Sequence, residues 1–185
     1  KNLFAIVSGL IGLTARSSND VDEMAEALTG RLAALAKAHD LIGPAVGPGR
    51  AGTGTDLGDL LGQLLSPHFC GGPDQCRIEG PEVSVGTGPA VSLALVINEL
   101  ATNAVKHGAA KQAGRGVIGL EIRKQPDGLH VAVKDNGPDF PDELVGGYGW
   151  QSVSDSLELL YPGRYDLALV NGADKQVHIT LRNTP

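Results

Sequence analysis

Apolar side chains recur at helical spacing from the start of the chain. Leu3, Phe4, Val7, Leu10 and Ile11 predict a helix over residues 3–15. Ser17-Ser18-Asn19-Asp20 interrupts the pattern, and Asp20 with Glu23 three residues later reads as a capping box that opens a second helix. Val21, Met24, Leu28, Leu32, Leu35, Ala36 and Ile42 form the stripe of that helix. Two amphipathic helices joined by a short polar turn predict an antiparallel hairpin. Both stripes are broad, so the hairpin needs a cover: another hairpin or a domain.

Residues 43–55, GPAVGPGRAGTGT, read as a linker and divide the chain into 1–43 and 44–185. Beyond it the spacing predicts a helix over 56–65, short strands over 75–78 and 83–85, and a long helix over 89–106 with Pro89 in its first turn. Strands follow over 117–123 and 129–134, with Pro126-Asp127-Gly128 as the turn. Residues 135–149 read as loop, 153–160 as helix, and 165–170 with 177–181 as a hairpin about Asn171-Gly172. The order predicts an α+β chain: a helical hairpin, then an α/β sandwich whose mixed, mostly antiparallel sheet carries helices on one face.

Composition narrows the function classes. The 185 residues carry a net charge of -6 and no dense Lys/Arg stripe, which argues against nucleic acid and against an anionic membrane surface. No apolar run approaches the ~18 residues of a membrane span. Cys70 and Cys76 cannot make a disulfide framework and point to a reducing, cytoplasmic setting. The chain opens on Lys1-Asn2 without an initiator Met or a signal-peptide pattern, so the expectation is a fragment of a longer protein, itself cytoplasmic or membrane-anchored.

Three stretches carry candidate chemistry. In Asn98-Glu99-Leu100-Ala101-Thr102-Asn103-Ala104-Val105-Lys106-His107-Gly108, helical geometry puts Glu99, Asn103 and Lys106 on one face. An amide oxygen suits a hard cation such as Mg²⁺, whose shell substrate phosphates complete, and an ammonium suits a phosphate. In Asp135-Asn136-Gly137-Pro138-Asp139, a carboxylate at a strand end before a tight turn can accept a hydrogen bond from an exocyclic amine. In Gly146-Gly147-Tyr148-Gly149-Trp150, glycines ahead of a helix let backbone N–H groups approach phosphate oxygens.

The order ELATNAVKHG, then DNGPD, then GYGW before a helix resembles the ATP-binding domain of sensor histidine kinases, of the ATPase superfamily shared with gyrase and Hsp90. INELATNAVKHGAA and RLAALAKAHDLI look most like the HWE subfamily. The resemblance implies that Asn103 binds Mg²⁺ bridging the phosphates of ATP, with Glu99 beside it as the catalytic carboxylate. It implies Lys106 on phosphate, His107 near the adenine or ribose, Asp135 on the adenine amine with Gly137 permitting the turn, and Gly147 and Gly149 in a lid. It further implies γ-phosphoryl transfer from Mg-ATP to a histidine and onward to an aspartate in a response-regulator receiver domain, with the hairpin pairing as a homodimer.

The chain departs from the pattern in places. Asp139 stands where the second glycine of the DNG loop is expected, the tryptophan–acid pair of the HWE group is absent from the preceding strand, and Asp174-Lys175-Gln176-Val177 replaces a Gly-Thr-x-Phe pattern. The family's acceptor histidine lies a few residues before a sequence like Lys1-Asn2-Leu3, so the stretch is expected to bind ATP without autophosphorylating. Two alternatives stay open: a non-enzymatic phosphotransfer scaffold with a degenerate ATP domain, and an ATPase or serine-kinase-type module of the same superfamily.

Overall fold

The computed structural model describes residues 3–42, 55–66, 76–107, 117–140 and 148–183. Helices α1 (Leu3–Ser17) and α2 (Val21–Ile42) form the predicted hairpin. The Glu23 N–H donates to Asp20 Oδ1 (2.8 Å), so Asp20 caps α2. The Glu23 carboxylate reaches one residue further back than in a standard capping box and accepts from the Asn19 N–H (2.7 Å).

A two-residue strand β1 (Thr55–Asp56) leads into α3 (Leu57–Leu65). Asp56 holds both ends of that junction. Its Oδ1 accepts from the Asp59 N–H (3.0 Å) as the N-cap, and its Oδ2 accepts from the Val83 N–H (3.1 Å) just before β3 (Ser84–Val85). Five leucines of α3 are buried, which fixes its inward face. Strand β2 (Cys76–Glu79) ends at Gly80, whose φ of +140° and close approach to the Ile122 carbonyl leave no room for a Cβ.

The long helix α4 (Thr87–His107) is followed by β4 (Ile118–Gln125), β5 (Gly128–Asp135), α5 (Tyr148–Leu160), β6 (Tyr165–Val170) and β7 (Lys175–Arg182). The main sheet runs β2-β4-β5-β7-β6; only β2 and β4 are parallel. Ile118, Leu120 and Ile122 of β4, Leu129, Val131 and Val133 of β5, and Val177, Ile179 and Leu181 of β7 alternate into one buried face. Helices α3, α4 and α5 close that face, as the strand order predicts.

Residues 90–97 of α4 are all buried. A helix apolar all round must be covered on every side. The sheet covers one side and α2 the other, while α1 lies along α5. The cover that the hairpin requires is therefore the α/β domain of its own chain. Leu10, Ala34, Leu35 and Ala38 are buried in this way, whereas Phe4 stays 79% exposed. Gly9 marks the closest approach, since a Cβ there would lie 2.7 Å from Leu159 Cδ2 of α5.

Most element boundaries fall within two residues of expectation, and two elements depart further. Helix α5 begins at Tyr148, five residues before the predicted start, and so takes Gly149 into its first turn. Strand β1 escapes any periodicity argument, since two residues carry no repeat.

Candidate nucleotide site

The C-terminal half of α4 leaves the fully apolar core and becomes mixed. Leu100, Ala101 and Ala104 stay buried, while Asn98, Glu99, Thr102 and Asn103 are half-buried. Glu99 and Asn103 are one helical turn apart, about 6 Å along the axis.

Glu99 is turned toward the hairpin. Arg31 Nε of α2 donates to its Oε1 (2.8 Å), and Ser152 Oγ of α5 donates to its Oε2 (3.4 Å). The same guanidinium donates to Thr14 Oγ1 of α1 and to Ser152 Oγ. One buried arginine thus ties four helices together at the predicted catalytic carboxylate. The Glu99–Ser152 bond also sets the C-terminal half of α4 against the first turns of α5, which brings Asn103 and Gly149 within about a turn of that contact.

Asp135 is the last residue of β5 and shares the helix-covered face with Val131 and Val133. Its side chain is 12% exposed. The Gly137 N–H donates to Asp135 Oδ1 (2.8 Å), so the DNG sequence forms the tight turn expected of it. Lys175 Nζ, from the register partner of Asp135 in β7, is 3.3 Å from the same oxygen. Phe140 lies under that ammonium, 5.2 Å from ring centroid to Nζ, and reciprocal bonds to Asn171 (2.9 and 3.0 Å) hold it there.

Asn103 and Asp135 therefore sit on the same, helix-covered side of the sheet. A cavity of about 330 Å³ has Asp135 and Asn136 on its wall, but Gly119, Glu121 and Lys134 carry it onto the open face of the sheet; a second, of about 510 Å³, lies between α3 and the β2–β3 connection. Neither is lined by Asn103. The side chains of Lys106 and His107, the whole of Gly147 and the predicted helix end at Gly108 lie outside the described residues.

Sequence reasoning missed Arg31, Thr14, Ser152 and Lys175. Arg31 had a signal: it shares a helical stripe with Ala34, Leu35 and Ala38, where a charge is expected only if paired. Lys175 had one too, since it heads the alternating row of Val177, Ile179 and Leu181.

A helical hairpin thus docks on a mixed sheet, with Glu99 and Asn103 on α4 and Asp135 at the end of β5. The family model "HWE histidine kinase" matches residues 1–82, and "Histidine kinase-, DNA gyrase B-, and HSP90-like ATPase" matches residues 88–183. The chain belongs to the histidine kinase-, DNA gyrase B- and HSP90-like ATPases, and its N-terminal part matches the HWE histidine kinase model. Blue-light-activated histidine kinase 1 of Erythrobacter litoralis is 34% identical over 143 residues, covering 77% of this chain and 39% of that protein. A blue-light-activated histidine kinase of Brucella anthropi is 36% identical over 153 residues, covering 80% and 30%. The chain thus spans less than half the length of these relatives. The solved histidine kinase domain from Erythrobacter litoralis EL346 superposes with a TM-score of 0.65 at 20% identity, covering 96% of this chain and 92% of that one. The Acinetobacter baumannii histidine kinase AdeS superposes at 0.54 with 13% identity, covering 97% and 94%. Both show the fold.

The residues present fit Mg-ATP. Asn103 offers a neutral amide oxygen of the kind a hard cation takes, and Asp135 offers a nearly buried carboxylate at the sheet end. No group of three or more His, Cys, Asp or Glu that could hold a metal occurs among the described residues, and no described helix is long and apolar enough to cross a membrane.

Proposed function

We propose that this chain is the dimerisation hairpin (1–43) and catalytic ATP-binding domain (44–185) of a sensor histidine kinase. It moves the γ-phosphoryl group of ATP to a histidine and from there to an aspartate of a response-regulator receiver domain. The observation that carries this reading is the Asp135–Gly137 turn, which fixes a carboxylate at the end of β5, on the side of the sheet that α4 covers. Asp135 accepts from the adenine amine. Asn103 holds Mg²⁺, which neutralises charge on the phosphates when bound. Lys106 and His107 contact the nucleotide, and Gly147 and Gly149 close over it. Glu99 orients the acceptor once Arg31 releases it. Positioning and charge neutralisation carry most of such a transfer, so few groups are needed. The setting is the cytoplasm, and the hairpin pairs with a second copy.

The scaffold alternative draws on one specific observation: Asp135 and Glu99 are both ion-paired to cations of this chain. Calorimetric titration with Mg-ATP and labelling of the full-length protein with γ-labelled ATP decide between them. The kinase reading expects micromolar binding that Asp135→Asn weakens, and an acid-labile, base-stable label on histidine. Nucleotide binding without label supports the scaffold, released phosphate supports the ATPase, and no affinity for Mg-ATP removes the site.

A further inference from the structure

A nearly buried lysine stands beside the carboxylate at the end of β5. Lys175 opens β7 opposite Asp135, and its side chain belongs to the row that continues as Val177, Ile179 and Leu181. A lysine in a solvated role would extend into water. This one is only 11% exposed, lies over the Phe140 ring, and brings its ammonium to 3.3 Å from Asp135 Oδ1. Desolvating an ammonium is unfavourable unless it is paired, and among the described residues Asp135 and the Phe140 ring face this one.

A carboxylate alone selects weakly among bases, since adenine, guanine and cytosine all carry an exocyclic amine. An acceptor with a donor beside it is more selective. Adenine presents an amine donor at position 6 and, next to it, a ring acceptor at N1. In the pose that puts the amine on Asp135, N1 faces the neighbouring donor. Guanine in that pose presents a carbonyl oxygen to the carboxylate and an N–H to the ammonium, so both contacts become repulsive.

We propose that Lys175 is a specificity-determining residue of this site: its ammonium, held between Asp135 and the Phe140 ring, donates to N1 of an adenine whose amine Asp135 accepts. This rests on the nucleotide reading above and adds a ring-nitrogen contact to it. The bland reading makes Lys175 only a counterion that steadies Asp135, and then its removal affects every adenine nucleotide equally.

The test compares ATP with 1-deaza-ATP, which keeps the amine and lacks the N1 acceptor, by equilibrium titration of the whole chain with Mg²⁺. The wild type is expected to bind ATP about tenfold more tightly than 1-deaza-ATP, the scale of one charge-assisted hydrogen bond. Lys175→Met should bind the two within about twofold of each other, whatever its absolute affinity, while Lys175→Arg, which retains a donor, should keep the gap. Thermal melts of each variant show that it is folded. Equal wild-type affinity for the two nucleotides, or a tenfold gap that survives in Lys175→Met, overturns the proposal. If ATP itself does not bind the wild type, the nucleotide reading fails and this inference falls with it; if ATP binds and only the gap is missing, Lys175 alone is misassigned.

Discussion

Arg31 and Glu99 meet at 2.8 Å across 68 residues of sequence, with the arginine side chain 4% and the glutamate side chain 16% exposed. The pair joins the hairpin to α4 at the carboxylate assigned to catalysis. Thr14, Glu99 and Ser152 surround the buried guanidinium with acceptors, which offsets its removal from water. While the bond holds, Glu99 is engaged by the hairpin, so the role proposed for it in phosphoryl transfer needs the Arg31 contact to open.

Removing Arg31 leaves a mostly buried carboxylate without its cation. Arg31→Met should lower unfolding stability by about 3 kcal/mol or more, in the range measured when one partner of a buried pair is deleted. The double variant Arg31→Met/Glu99→Gln should recover much of that loss, because no uncompensated charge remains. Urea denaturation of the wild type and the three variants, the single Glu99→Gln included, gives the coupling. Additive losses would mean that the two residues do not interact.

Gly9 tests the docking from the other side of the hairpin. Its missing side chain lets α1 lie against Leu159 of α5. Gly9→Leu places a branched side chain where a single Cβ is already too close, and Leu159 can move only part of the way. Hydrogen exchange in α1 and α2 should accelerate, while β4, β5 and β7 keep their protection. Uniform acceleration in the sheet would mean that hairpin and domain unfold as one unit.

How much of this was legible follows from where the physical constraint lies. Asp20 announces α2 because an N-cap is a local device, written within four residues; Asp56 is the same device at α3, although the spacing had placed it inside that helix. The rows of β4, β5 and β7 are legible because one face is buried and the period is two. The turn at Asp135 is legible because Asp-Asn-Gly has few alternatives. The Arg31–Glu99 and Asp135–Lys175 pairs are not, because each joins distant segments through the tertiary fold, and only the burial of one charge within an apolar row hints at them. The hairpin's cover stayed undecided for the same reason: a stripe states that something must cover it, not what.

The open face of the sheet carries a charge cluster with a defined pH response. Lys134 Nζ lies 2.7 Å from Glu121 Oε2, and Arg123 bonds the other oxygen, so both cations hold the Glu121 carboxyl below its usual range. A carboxyl lowered on folding contributes stability above its unfolded value, about 4.3 for glutamate, and loses that contribution as pH falls through the folded value. The site is solvated, so the contribution is small, about 1 kcal/mol or less. Glu121→Gln should therefore be slightly less stable than the wild type at pH 7, and the difference should vanish toward pH 3. Urea midpoints across that range read it directly, and a gap that widens on acidification would contradict the assignment.

Asn103 separates metal binding from base recognition. Its amide is one turn past Glu99 on the half-buried face of α4, with no carboxylate cluster among the described residues to share a cation. A cation there relies on this oxygen, the phosphates and water. Asn103→Leu keeps the approximate volume and removes the ligand. Its affinity for ATP should fall by tenfold or more with Mg²⁺ present, on the scale of about 1.5 kcal/mol for one lost contact to a charged group. Its affinity without Mg²⁺ should match that of the wild type, and its preference for ATP over 1-deaza-ATP should survive, since Asp135 and Lys175 are untouched. Titrations with Mg²⁺ and with excess chelator measure all three quantities. A variant that retains the full Mg²⁺ enhancement would move the metal away from α4, and one that loses ATP equally with and without the ion would make Asn103 a contact to the nucleotide itself.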